Sequence, residues 1–450
     1  MRSFPHLAFV ALTFVACSEP NPLYNTTLTS SGAVAETTEE PNAADSDADP
    51  TTTTTAGSGD GSQGDDDSTT AGGPGENGTS SGAPLDPTGG ESTGSPPVTC
   101  DGPTGALCHE PVTYPISTRA STVDVADQDG DGDIDIAVAS EEDDIVLLLD
   151  NDGGGLFADS APVEIHGARP MGVCFADLDG RLPLEVLTAD RDGQSISVLS
   201  DGGSGLELAQ TLETGRRTED CAVGDIEGDG DQDIVAALRD GHELAVLLND
   251  GSGVFGPSTP VPTLDQPETL WASNVNTATF SGFAVGVSHR GGTGVSVHLG
   301  QKAGGLSTNE FELEDAHYGV RLADIDLDGT LDLVSTRPPR NDLVVYWDIL
   351  DAGEEPTPTA EDLGDTPGHI AVGDFNADET PDIVAVIEDS SRIAILSGIG
   401  SQSFAVTSVA LEGPATDVAV ADLNGDGIDD IALALPSRNE VVLMLSHAGD

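Results

Sequence analysis

Five stretches of this 450-residue chain place oxygen-bearing side chains at alternate positions of a short turn, unbroken in four and interrupted only by Ile428 in the fifth. They are Asp127, Asp129, Asp131, Asp133 and Asp135; Asp225, Glu227, Asp229, Asp231 and Asp233; and Asp324, Asp326, Asp328, Thr330 and Asp332. Two more are Asp374, Asn376, Asp378, Thr380 and Asp382, and Asp422, Asn424, Asp426, Ile428 and Asp430. Side chains at positions 1, 3, 5 and 9 can converge on one cation, with a backbone carbonyl from position 7. Clustered carboxylates suit a hard cation, and six to eight oxygens at ~2.3–2.6 Å suit Ca²⁺ better than Mg²⁺. Two such carboxylates repel by ~4 kcal/mol at an effective dielectric of ~20, so the clusters want a cation. The plainer alternative is an Asp-rich turn facing water.

Position 6 is Gly in four of the loops (Gly132, Gly230, Gly329, Gly427), which permits a sharp turn. The sixth loop has Glu379 there. An EF-hand would need a bidentate Glu at position 12, but that position is Val138 in the first loop and Leu433 in the last. Two further stretches are degenerate. One is Asp177, Asp179 and Glu185 with Arg181 at position 5, whose cation can supply the charge itself. The other has Asn274 and Asn276 and no carboxylate, and is expected to be empty. About five structural Ca²⁺ sites are therefore expected, stabilising the fold by binding the folded loops selectively.

The seven loops begin at positions 127, 177, 225, 274, 324, 374 and 422. A fixed spacing of about 49 residues signals repeated supersecondary units. Each unit reads as four short strands: an apolar one before the loop (Val123–Ala126), one after it (Asp233–Leu238), a third (Glu243–Leu248), then a Gly-rich turn and a more polar fourth (Phe404–Thr407). Four-stranded units repeated radially make an all-β propeller, here with seven blades. The last unit lacks a fourth strand, while a lone candidate, Val112–Ile116, precedes the first unit. Pairing the two would close the ring and remove both open edges. A linear solenoid would instead need capping units, which are not seen.

The D-x-D-x-D-G-x-x-D loop followed by an apolar strand, with the turn Asn249–Gly256, resembles the FG-GAP/VCBS repeat of integrin alpha-subunit propellers and bacterial surface proteins. That resemblance implies Ca²⁺ in the loops and ligand recognition on the opposite face.

Composition narrows the partners. Asp and Glu total 80 against 15 Lys and Arg, so phosphate neutralisation, and with it nucleic acid, is excluded. Residues 1–17 read as an export signal: Arg2, an apolar run, then Phe14-Val15-Ala16-Cys17. The last four resemble a bacterial lipobox, which implies lipidation of Cys17, although Phe14 stands where Leu is usual. By the same resemblance Ser18 implies outer-membrane sorting. Ordinary secretion with cleavage elsewhere is the alternative. Residues 18–98, rich in Thr, Ser, Gly and acids, cannot bury enough apolar surface to fold and form a linker of roughly 45–54 Å as a coil. Residues 99–450 form the propeller. The only membrane contact expected is the lipid anchor, on an outer-membrane or cell-surface protein that can also be released. Cys100 with Cys108, and Cys174 with Cys221, are candidate disulfides.

Antiparallel geometry puts all acidic loops, which join strands 1 and 2, on one rim. Arg191, Arg239, Arg290, Arg337, Arg340, Arg392 and Arg438 fall in the 2–3 loops of the other rim. That rim is a candidate recognition face for a glycan or an acidic protein segment. The same loops hold comparable numbers of acids, so mutual pairing is the competing reading. No nucleophile or His-metal motif occurs in a credible context; Gly78-Thr79-Ser80-Ser81-Gly82 lies in low-complexity coil. His317 and His369 precede or begin inner strands and could line a channel mouth, although core or loop roles are commoner for such His. The sequence thus favours a calcium-binding surface module for binding or adhesion, without catalysis. A glycan-active lyase or hydrolase on the same scaffold is the alternative, and clustered His, Tyr and Arg on the ring axis would favour it. A passive structural component is the third reading.

Overall fold

Apolar strands alternating with Gly- and Asp-rich turns pair into seven antiparallel sheets in the computed structural model. It describes residues 111–446, apart from 152, 154–155, 166, 204, 277–280, 291–293, 312–314, 351–357, 389 and 401. Cys17, Cys100, Cys108, the linker and the GxSxG string lie outside the described residues.

The inner strands are Thr122–Ala126, Pro170–Ala176, Thr218–Gly224, Pro267–Asn276, Val320–Ala323, Pro367–Gly373 and Asp417–Ala421. Each inner strand neighbours the next, and the seventh neighbours the first, so the sheets form a closed ring. Second strands such as Asp135–Ser140, Asp233–Leu238 and Asp430–Leu435 are buried along their whole length. A strand covered on both faces needs this continuous Val/Ile/Ala composition rather than alternation. Apolar side chains form seven clusters, each between adjacent blades. The one at the seam joins Val123 and Val138 of blade 1 to Ala432, Val441 and Leu443 of blade 7.

Closure uses the early strand anticipated from the sequence. Pro111–Pro115 pairs antiparallel with Glu440–Met444, from Pro111 opposite Met444 to Pro115 opposite Glu440, and so completes blade 7. Blade 1 differs from the others in a short extra strand, Val163–Glu164, beside its third strand. In blade 4 the acidic turn is replaced by a longer ladder: Asn274 stands opposite Phe283 and Asn276 opposite Ser281. The missing carboxylates there coincide with strand extension.

Cys174 and Cys221, on inner strands of blades 2 and 3, are buried with sulfurs 3.6 Å apart. A disulfide needs about 2.05 Å, within reach of small side-chain rotations. Both are free thiols here, and pairing with Cys174 and burial push the Cys221 thiol well up in pKa, which disfavours the thiolate in the folded state, so a bridge would have to form during folding. Refolding with a glutathione redox couple is expected to yield a Cys174–Cys221 cross-linked peptide. The cross-link spans 47 residues of sequence, and constraining the unfolded chain that far is worth about 4 kcal/mol. Recovery of linear peptides only would refute this.

Candidate metal centres

Each acidic loop begins where an inner strand ends, and its first Asp folds the turn around itself. Asp225 accepts backbone N–H bonds from Gly228 at 2.7 Å, Asp229 at 3.0 Å and Gly230 at 3.0 Å. Asp324 and Asp422 do the same with positions 5 and 6 of their own loops. Drawing three N–H groups onto one carboxylate requires a left-handed residue at position 6. Gly132 and Gly230 take φ values of 101° and 100° there. In the sixth loop Glu379 carries a φ of 66°, the strain expected where Gly is replaced.

The ninth-position Asp performs a different task. Asp332 is almost fully buried and accepts from Ile325 N–H at 2.8 Å and from Asp348 N–H at 2.8 Å. Asp135, Asp233, Asp382 and Asp430 repeat the pattern, tying the loop entrance to the end of the third strand. These residues are structural pins as well as candidate ligands, a role that spacing along the chain does not reveal.

Three loops bring carboxylate oxygens within 4.8 Å of one another: Asp127 with Asp129 and Asp135, Asp177 with Asp179 and Glu185, and Asp324 with Asp326 and Asp332. In these three loops positions 1, 3 and 9 converge. At position 5 one oxygen is engaged within the loop, Asp131 Oδ1 accepting from Asp133 N–H at 3.0 Å and Asp328 Oδ1 from the Thr330 backbone and hydroxyl, just as Asp129 Oδ1 at position 3 accepts from Asp131 N–H at 3.1 Å. Thr380 and Ile428, at position 7, point elsewhere: the Thr380 hydroxyl donates to Asp378, and Ile428 is buried. The second loop, degenerate in sequence, assembles like the best ones. Its Arg181 reaches Asp179 at 3.3 Å but is 79% exposed, so water screens that charge. The readable signal was Glu185 at the ninth position.

The donor set fits a cation. Glu227 Oε2 and Asp326 Oδ1, both at position 3, are shielded from solvent and have no hydrogen-bond partner. A buried carboxylate oxygen left without a donor is costly, and a divalent ion would relieve it.

Burial pushes the ninth-position carboxyls up, to about 7 for Asp135, Asp233, Asp382 and Asp430 and to about 8 for Asp332. Without ions the folded state keeps protons that the unfolded chain, titrating near 3.8, has released. Ion-free stability therefore falls as pH rises towards about 8 and recovers on acidification. Two buried histidines oppose this at lower pH. Burial lowers His289 to about 4 and His298 to about 3, so below 6.5 the unfolded chain takes up their protons first. In EDTA the melting temperature is expected to be higher at about pH 6.5 than at about pH 8, with a narrower gap to the Ca²⁺-loaded protein. Calorimetry at both pH values checks it; a lower value at pH 6.5 would contradict the assignment.

On the opposite rim the seven candidate arginines are engaged. Arg191 and Arg239 share buried Glu219, and Arg290 reaches Glu268 at 2.6 Å. Arg337 grips Asp342 bidentately at 2.8 and 2.6 Å, Arg340 pairs with Asp315, and Arg438 with Glu440 and Glu412. Arg392 donates to the Leu363 carbonyl at 2.7 Å. His317 is buried against Ser335 at 2.9 Å, a core role, whereas His369 is half-buried at the ring axis.

Comparison with known proteins agrees with this architecture. A family model described as an FG-GAP-like repeat matches residues 127–188, 324–385 and 374–433. A search of curated proteins found no match. Among solved structures, BBS1N in complex with ARL6DN is 13% identical with a TM-score of 0.53, covering 75% of this chain and 96% of that one. Hydrazine synthase of Kuenenia stuttgartiensis is 12% identical at 0.54, covering 75% and 98%. The Cps50 (Swd1) β-propeller domain of Myceliophteria thermophila is 10% identical at 0.53, covering 76% and 100%. At these identities the likeness concerns fold.

Proposed function

Since the chain carries FG-GAP-like repeats on a seven-bladed β-propeller, we propose that it is a calcium-stapled binding or adhesion module displayed at the cell surface. In this reading residues 1–17 direct export, Cys17 carries the lipid, 18–98 form the tether and 99–450 the propeller. The observation that carries the calcium part is the orphaned, shielded oxygen at position 3 of two loops, Glu227 and Asp326. It is supported by the three carboxylate triads and by a net charge of −52 over residues 99–450 (66 acidic, 14 basic), which an ion-free ring would have to hold together against itself. The carboxylates at positions 1, 3 and 9 of the pinned loops would hold the ion, which would supply charge neutralisation there. In this reading the ion's role is structural.

The ligand face of this module is the rim away from the ions. Its arginines hold carboxylates already, so an acidic ligand there would have to exchange partners with Glu219, Glu268 and Asp342. Native mass spectrometry in calcium tests the reading: several bound Ca²⁺ per chain are expected, and none would refute it. A glycan-active enzyme is the second reading, and the arrangement of His369, Tyr318 and Arg321 at the axis favours it.

A further inference from the structure

Asp124 of blade 1, Asp220 of blade 3, Arg321 of blade 5 and His369 of blade 6 each feel the charge of Asp417 of blade 7. Side chains from five blades come that close only on the ring axis. The three carboxylates are fixed by the backbone: Asp124 accepts from Phe175 N–H at 3.0 Å, Asp220 from Leu270 at 2.8 Å and Asp417 from Val123 at 3.1 Å. Each bond joins a blade to the inner strand of the next. His369 is held at both nitrogens, with Nδ1 3.1 Å from Asp417 and Nε2 3.2 Å from the Tyr318 hydroxyl.

Arg321 stands apart from the other arginines. Its guanidinium lies 4.1 Å from the centre of the Trp271 ring and donates from Nη1 to the Val320 carbonyl at 2.8 Å. It has no ion pair among the described residues, and its Nε, shielded from water, has no hydrogen-bond partner. Unlike the buried second strands, Asp124, Asp220, Trp271, Tyr318, Arg321 and His369 are half-buried, so solvent reaches them. Tyr318 precedes its inner strand, Asp417 begins one, and Asp220 and His369 are the third residues of theirs, in the first half of the strand. The opening is therefore on the face away from the acidic loops, which follow the strand ends.

Charge decides what such a mouth can take. An anion would meet three carboxylates on a chain of net charge −65. A cation would meet Arg321 at the centre. A hydroxyl accepts from a guanidinium N–H while donating to a carboxylate, so a neutral ligand rich in hydroxyls satisfies both. Burial pushes Asp124 up to about 8, which adds a protonated donor at neutral pH. Burial opposes charge on His369, but the charge and hydrogen bond of Asp417, with the charge of Asp220, raise the imidazole overall, and its Nε2 shares a hydrogen bond with the Tyr318 hydroxyl at the mouth.

We propose that this axial mouth binds a neutral saccharide unit, its hydroxyls bridging Arg321 to Asp220 and Asp417, with the Tyr318 hydroxyl hydrogen-bonded to it. The proposal rests on the binding-module reading and narrows it to one place and one ligand class. Trp271 offers the readout. The chain has two Trp, and Trp347 is buried. A Trp347→Phe protein in Ca²⁺ would be titrated with neutral hexose and N-acetylhexosamine tetrasaccharides, with uronate tetrasaccharides as the charged arm. Emission and calorimetry are followed, and sugar chromatography detects cleavage.

A saturable emission change with a neutral saccharide is expected. Tyr318→Phe should weaken binding roughly three- to tenfold, the loss of one hydrogen bond, at an unchanged Ca²⁺-loaded melting temperature. Arg321→Lys should weaken it further, and Tyr318→Phe keeps the test decisive if that variant does not fold. No response to any neutral saccharide at millimolar concentration, or tighter binding of uronates, overturns the proposal. Binding untouched by both variants also overturns it, while leaving the module reading intact. Cleavage products that Tyr318→Phe abolishes would support the site and make it an active site.

Discussion

In excess EDTA the protein is expected to melt about 15 °C below its value in millimolar Ca²⁺. The size follows from linkage. An ion that binds the folded loops at one hundred times its dissociation constant contributes about 2.7 kcal/mol per site. Three triads with oxygens already within 4.8 Å would give about 8 kcal/mol, and a domain this large shifts by about 2 °C per kcal/mol. The unfolded chain offers no comparable site, because the convergence depends on strand ends meeting: Asp332 reaches its loop only while Asp348 N–H holds it. Mg²⁺ should restore less, since it demands tighter octahedral geometry than turns with mixed carboxylate and amide donors supply. Scanning calorimetry in EDTA, Mg²⁺ and Ca²⁺ is the measurement. Superimposable melting curves would mean that the loops are solvated turns.

The fold was legible because its period is long and regular. Seven loop starts near 49 residues apart, each flanked by Val/Ile/Ala strands, leave little freedom once four strands per unit are recognised. Ring closure was legible for the same reason: a seventh unit without a fourth strand, and a strand before the first unit, which is Pro111–Pro115. The loops were only partly legible. Spacing identified positions 1, 3, 5 and 9 as oxygen donors; the fold brings 1, 3 and 9 together in three loops, while Asp131 and Asp328 each engage one oxygen, Oδ1, with position 7. Arg181 hid the second loop, because sequence does not reveal that its guanidinium is mostly in water. The rim arginines were located by topology, yet their partners come from inner strands and neighbouring turns, as Arg191 with Glu219 shows. The axial cluster was least legible: Asp124, Asp220 and Asp417 lie nearly 300 residues apart from first to last and meet only after closure.

Replacing two Asp residues of one loop separates the ion's contribution from the scaffold's. Asp326→Ala removes a position-3 carboxylate whose Oδ1 is unpartnered and whose Oδ2 accepts from Gln402 Nε2 at 2.9 Å across the surface. In EDTA this variant is expected to be as stable as the parent within about 1 kcal/mol, because one exposed hydrogen bond is exchanged for relief of like-charge repulsion. In Ca²⁺ it should lose that site, about 2.7 kcal/mol at one hundred times the dissociation constant. Asp332→Ala is expected to behave differently. Its two oxygens satisfy Ile325 and Asp348 N–H, both at 2.8 Å, in a place that water does not reach. Truncation orphans two buried donors at about 1–3 kcal/mol each, so the variant should be destabilised by roughly 2–6 kcal/mol in EDTA and further still relative to the parent in Ca²⁺. Denaturant unfolding of both variants with and without Ca²⁺ measures the four differences. Equal losses in EDTA would show that the ninth position is a ligand and no pin, whereas a Ca²⁺ response retained by Asp326→Ala would remove position 3 from the ion's coordination.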